Sequence, residues 1–176
     1  MQTKWPHDES CELCGVERES KIKAAGRRAG LLANIRNYGF HKVGVFSEIP
    51  EEPSFSYSIG LYHTRGHPEI IILGLDIDTE FAILDTIAGL IKEGGEFRHG
   101  SESSDILSNM AVKFVEFSRS HYGDYLGQAE NFYLTDNFPV LMVAWPDRDG
   151  VFPWAEGSPE WLMRRQPALW SRLPSV

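Results

Sequence analysis

The chain has 176 residues, of which 42% are apolar and 24% charged, the balance of one soluble globular domain with a sizeable core. Its formal net charge of −8 repels nucleic acid on average, and no block of Lys or Arg offsets that. No run approaches the roughly 18 to 20 apolar residues of a bilayer crossing, residues 1–9 lack the apolar core of a signal peptide, and two cysteines are too few for a secreted disulfide scaffold. A cytoplasmic protein without nucleic-acid or membrane partners is expected.

Residues 1–17 read as a polar leader that carries both cysteines, ahead of a single domain over 18–176. Ser20 to Arg36 has the helical stripe Ile22, Ala25, Ala29, Leu32 and Ile35, with Gly39 as its stop. A strand follows at His41 to Phe46, then a loop through Ile49-Pro50-Glu51-Glu52-Pro53. From Phe55 to Leu61 the residues alternate strictly: Phe55, Tyr57, Ile59 and Leu61 point one way, Ser56, Ser58 and Gly60 the other. A loop carrying His63, Arg65, His67 and Glu69 leads to Ile70-Ile71-Ile72-Leu73, apolar without alternation and so covered on both faces. The next helix spans Thr79 to about Glu93, capped by Asp78 and ended by Gly94-Gly95. Glu96 to Asp105 reads as a mobile loop, Ala111 to Phe117 as a strand, Ser120 to Tyr133 as one helix and Phe138 to Trp145 as a buried strand. The tail from Pro146 is rich in Pro, Gly and Trp and has little periodicity. The short links between the first three strands require antiparallel pairing. The fold class is therefore α+β, a mostly antiparallel sheet or small open barrel with about three flanking helices.

The series Tyr57-Ser58-Ile59-Gly60-Leu61, Gly66-His67-Pro68-Glu69, Gly74-Leu75-Asp76, Phe138-Pro139-Val140, Trp145-Pro146-Asp147, Gly150, Pro153-Trp154 and Gln166-Pro167 resembles a bacterial family known as domain of unknown function 4262. The resemblance covers roughly residues 20 to 170. It implies a common fold and no activity. A short cysteine-containing leader occurs in several members, so the resemblance also implies that Cys11 and Cys14 are not incidental.

The candidate chemistry falls into three groups. Cys11-Glu12-Leu13-Cys14 can chelate a soft ion such as zinc, with His7 as a third ligand; it can also be a dithiol couple or a plain pair. His67, with Glu69 fixing its tautomer, can act as a general base or contact a ligand; the alternative is a shaped turn whose imidazole bonds backbone. Asp147 and Asp149 can bind a hard cation, serve as an acid–base pair or simply form a tight turn before Gly150. The reading chosen makes His67, Glu69 and Asp147 catalytic. It gives Ser56, Ser58, His63, Trp145 and Trp154 to a small-molecule pocket with room for a planar ligand, a flavin-binding split barrel being a fold-level analogy only. The rival is an interaction module whose partner is another protein, with the tryptophan-rich tail and a metal-binding leader as its surface. No P-loop, Gly-x-Gly-x-x-Gly, Gly-x-Ser-x-Gly or His-Glu-x-x-His motif is present, which disfavours the chemistries those motifs carry.

Overall fold

In the computed structural model, which describes residues 26–49 and 51–173, the apolar stripe of the first helix becomes α1 (Gly26–Tyr38), with Leu32 and Ile35 buried. Gly39 ends it in the left-handed conformation, as its sequence position suggests. Three strands follow: β1 (His41–Val45), β2 (Phe55–Ile59) and β3 (Glu69–Leu73), paired antiparallel in order. The segment between β2 and β3 is not a simple loop. Leu61–Arg65 forms a short helix, α2, flanked by Gly60 and Gly66, both with positive φ.

Helix α3 (Ile77–Lys92) begins two residues earlier than expected. Its cap is Asp76, not Asp78, because the Asp76 carboxylate accepts from the Thr79 N–H at 2.9 Å. The polar stretch Glu96 to Asp105, expected to be a mobile loop, runs into strand β4 (Glu102–Leu107), which pairs antiparallel with β5 (Met110–Glu116). Strand β4 lies at a sheet edge and buries only Ile106, so it needs no apolar alternation. The single helix expected over Ser120 to Tyr133 is broken into a 3-10 turn (Arg119–His121), α4 (Tyr122–Tyr125) and α5 (Gly127–Tyr133). Strand β6 (Val140–Ala144) is buried throughout. Within the tail, α6 (Glu160–Arg165) inserts Leu162 into the core, and Trp170 bridges to Phe117.

The sheet is open and six-stranded, in the order β1-β2-β3-β6-β5-β4. Every pairing is antiparallel except that of β3 with β6, where Glu69 faces Val140 and Ile72 faces Val143. The architecture is thus α+β, two antiparallel meanders joined along one parallel seam. Alternate residues of β3 serve two separate cores. Ile71 and Leu73 pack with Leu31, Leu32 and Ile35 of α1 and with Tyr122, Leu126 and Ala129. Ile70 and Ile72 pack with Ile83, Leu84 and Ile87 of α3. Strands covered on both faces explain why β3 and β6 read as unbroken apolar runs. Among the described residues no helix is long and apolar enough to cross a membrane.

Candidate functional site

Strands β2 and β3 separate near Gly60. Their last paired residues at that end are Tyr57 and Ile71. Beyond them the Ile70 N–H donates to Ser58 Oγ at 2.9 Å, a side chain replacing a ladder carbonyl. The fully buried Glu69 carboxylate fills the gap. Its Oε1 accepts from the Gly60 N–H at 2.7 Å, from the Tyr62 N–H at 3.1 Å and from the Tyr133 hydroxyl. Its Oε2 accepts from the Ser58 hydroxyl at 2.5 Å. Burial raises the Glu69 pKa, and these four donors oppose the rise. Glu69 therefore holds the first turn of α2 against the sheet and ties α5 to it through Tyr133. Gly60 cannot be replaced cheaply: with φ 110, a Cβ there would lie 2.9 Å from Ile35 of α1.

A second buried carboxylate belongs to Glu80 of α3. It accepts from the Ser56 hydroxyl at 2.7 Å and the Leu75 N–H at 3.2 Å, and burial pushes its pKa up to about 8. Ser56 and Ser58, expected to face a ligand, are fully buried and each bonds one of these carboxylates. The room predicted on that strand face is filled from within.

His67 is buried, and both its ring nitrogens meet backbone. Nδ1 donates to the Pro68 carbonyl at 2.8 Å, and Nε2 accepts from the Phe97 N–H at 3.0 Å. Burial lowers its pKa. Glu69 does not orient it, since the carboxylate is taken up by the four donors above. His63 stands edge-on to Phe132. The Asp147 carboxylate accepts from the Asp149 N–H at 3.0 Å and the Val151 N–H at 2.8 Å, the tight-turn alternative of the sequence reading. Trp145 is buried and donates from Nε1 to the Leu73 carbonyl at 2.9 Å. Trp154 stacks on Phe152 and meets Trp170 edge-on.

The expectation of one cleft shared by His67 and Asp147 is not met. Strands β3 and β6 run parallel; His67 precedes β3 and Asp147 follows β6. At about 3.3 Å per residue, the length of these strands alone puts the two more than roughly 13 Å apart, at opposite ends of the seam. Cys11, Cys14 and His7 lie outside the described residues. Among the described residues no cluster of three or more His, Cys, Asp or Glu could hold a metal ion.

What α2 does border is a cleft of about 650 Å³ between the carboxyl ends of α1 and α3. Its lining includes Arg36, Asn37 and Tyr38 from α1, Leu61, Thr64 and Arg65 from α2, and Asp85 and Lys92 from α3. The Thr64 hydroxyl reaches the Gly39 carbonyl at 2.7 Å, pinning α2 to the end of α1. Asp85 is already paired with Lys42 at 2.5 Å. Among the described residues, Arg36, Arg65 and Lys92 have no ion-pair partner. Each lies in the last turn of its helix, where a cation balances the partial negative charge of the helix end. That charge is at most about half a unit per helix, and the Gly39 and Gly66 N–H groups already bond α1 and α2 carbonyls. Three full positive charges outweigh it.

The chain belongs to the family described as Domain of unknown function (DUF4262), which it matches over residues 34–159. The match spans α1 from Asn34 through β6 and the Asp147 turn, so it takes in Glu69, Glu80 and the α2 cleft. No curated protein and no solved structure matches the chain.

The sequence reading missed Glu80, Tyr133 and the three cations. A signal for Glu80 was present: Ile77, Glu80, Ile83, Leu84 and Ile87 are spaced as one helical stripe, with a carboxylate where an apolar residue belongs. Tyr133 ends the helix expected over Ser120 to Tyr133, and nothing in the sequence ties its hydroxyl to Glu69. The cations come from three separate helices, and only the fold brings them together.

Proposed function

We propose that this domain binds a small anionic molecule in the cleft between α1, α2 and α3. The observation that supports the reading is the convergence of Arg36, Arg65 and Lys92, without ion-pair partners among the described residues, on a cleft of about 650 Å³ in a chain of net charge −8. Cations confined by low-dielectric walls attract an anion more strongly than the same cations on an open surface. The guanidinium groups suit the planar, two-oxygen geometry of phosphate and carboxylate. Tyr38, 72% exposed at the rim, offers a ring face to a planar part of the ligand.

Isothermal titration with inorganic phosphate, simple phosphate monoesters and dicarboxylates, against neutral glycerol, tests the reading. Saturable binding is expected for at least one anion and none for glycerol. Arg65→Gln combined with Lys92→Gln is expected to weaken it at least about tenfold, the value of 1.4 kcal/mol. Raising the salt concentration weakens it further. A folded wild-type protein that binds none of these anions ends the proposal.

A further inference from the structure

We propose that a second cleft, at the carboxyl end of β3 between the loop before β2 and α6, binds a small zwitterion of the α-amino-acid class. This cleft of about 600 Å³ lies at the opposite end of the sheet from the anion cleft and is independent of it. Here the chain leaves β3 through Gly74 into α3, and leaves β6 into the tail that carries α6. Gly74 forms part of the lining: with φ 86, a Cβ there would sit 2.5 Å from the Arg165 carbonyl oxygen, so the two backbones touch. The Arg165 guanidinium also donates to the Gly74 carbonyl at 3.3 Å.

The charges on the walls select the ligand. Arg164 and Arg165 enter from α6, Glu51 and Glu52 from the loop before β2, and Asp76, whose carboxylate is taken up in capping α3, from the end of β3. Here, among the described residues, no arginine pairs with a carboxylate across the opening; Arg164 reaches only Glu160 of its own helix, at 3.5 Å. The gap suits a molecule that carries both signs, its carboxylate toward the arginines and its ammonium toward the glutamates. Trp161 supplies an apolar surface beside them. It leans on Trp145, with centroids 6.2 Å apart, yet remains 47% exposed and lines the cleft. An indole face beside carboxylates also attracts an ammonium group.

The common L-α-amino acids, titrated singly into the full-length protein by calorimetry, test the assignment. At least one is expected to bind saturably. Its deaminated and decarboxylated counterparts, the matching carboxylic acid and the matching amine, are each expected to bind at least tenfold more weakly. Glu51→Gln with Glu52→Gln is expected to weaken the amino acid at least tenfold and leave the carboxylic acid unchanged. Arg164→Gln is expected to weaken both acids and spare the amine. These are surface substitutions, and far-ultraviolet circular dichroism confirms that each variant is folded. Failure of every amino acid to bind, equal affinity for the amino acid and its two counterparts, or variants without effect would each overturn the assignment.

Discussion

The Glu69 carboxylate takes four hydrogen bonds at once: two from amides that open α2, one from Ser58 and one from Tyr133. Removing it strands those donors in the interior, which costs more than a lost contact. Glu69→Ala is expected to destabilise the fold by about 2–4 kcal/mol in urea titration, and Glu69→Gln, which keeps an acceptor, by about 1 kcal/mol. Glu80 acts through protons. Its folded pKa of about 8 exceeds the ordinary value of 4.5, so between those limits the folded state holds a proton that the unfolded chain releases. Stability therefore falls as pH rises from about 4.5 to about 8. Urea midpoints at pH 5 and pH 8 are expected to differ less in Glu80→Gln than in the wild type. His67 works in the opposite direction: its lowered pKa makes stability fall as pH drops below the usual imidazole value. Because both nitrogens of His67 hold backbone, His67→Ala is expected to cost about 2–4 kcal/mol, the response of an architectural residue.

Among the elements, α5 carries the one non-glycine residue with positive φ among those described, Leu134 at φ 57, directly after Tyr133. A leucine in that region is strained by about 1 kcal/mol, and this one is 55% exposed. Leu134→Gly is expected to raise thermal stability by about 0.5–1 kcal/mol, read as a higher midpoint in calorimetry. Elements with strong periodicity were legible from sequence: β2 from its alternation, β3 from its apolar run, α3 from its stripe. Helix α2 was not, because five residues are too few to show a period and its first turn is held by Glu69, which lies beyond it in sequence. Strand β4 was hidden by its polar edge position. The break at Leu126, where α4 gives way to α5, leaves the apolar spacing nearly intact and so reads as one helix.

Across the whole molecule, the order of the first three strands followed from short connections, but the position of β6 did not. Nothing local in Val140–Ala144 says that it lies beside β3 and parallel to it. That single pairing decides the candidate site. An antiparallel seam would have brought Asp147 to the His67 end; the parallel one sends it to the far end. The residues singled out from sequence were chosen for reactive chemistry, and the fold uses many of them internally: His67 and Asp147 bond backbone, Ser56 and Ser58 bond carboxylates. Arg36, Arg65 and Lys92 come from three helix ends that only the fold brings to one cleft.

The two meanders are each built from neighbouring stretches of chain, residues 41–73 and 102–144, whereas the line between them joins strands separated by the whole of residues 74–139. Loop-closure entropy makes that line the slowest to zip, so it is the natural late step of folding and the first place for the domain to breathe. The Gly74 crevice, one wall of which is α6 from the tail beyond β6, would widen or narrow with that motion, whereas the anion cleft, lined wholly by residues 35–92, would not.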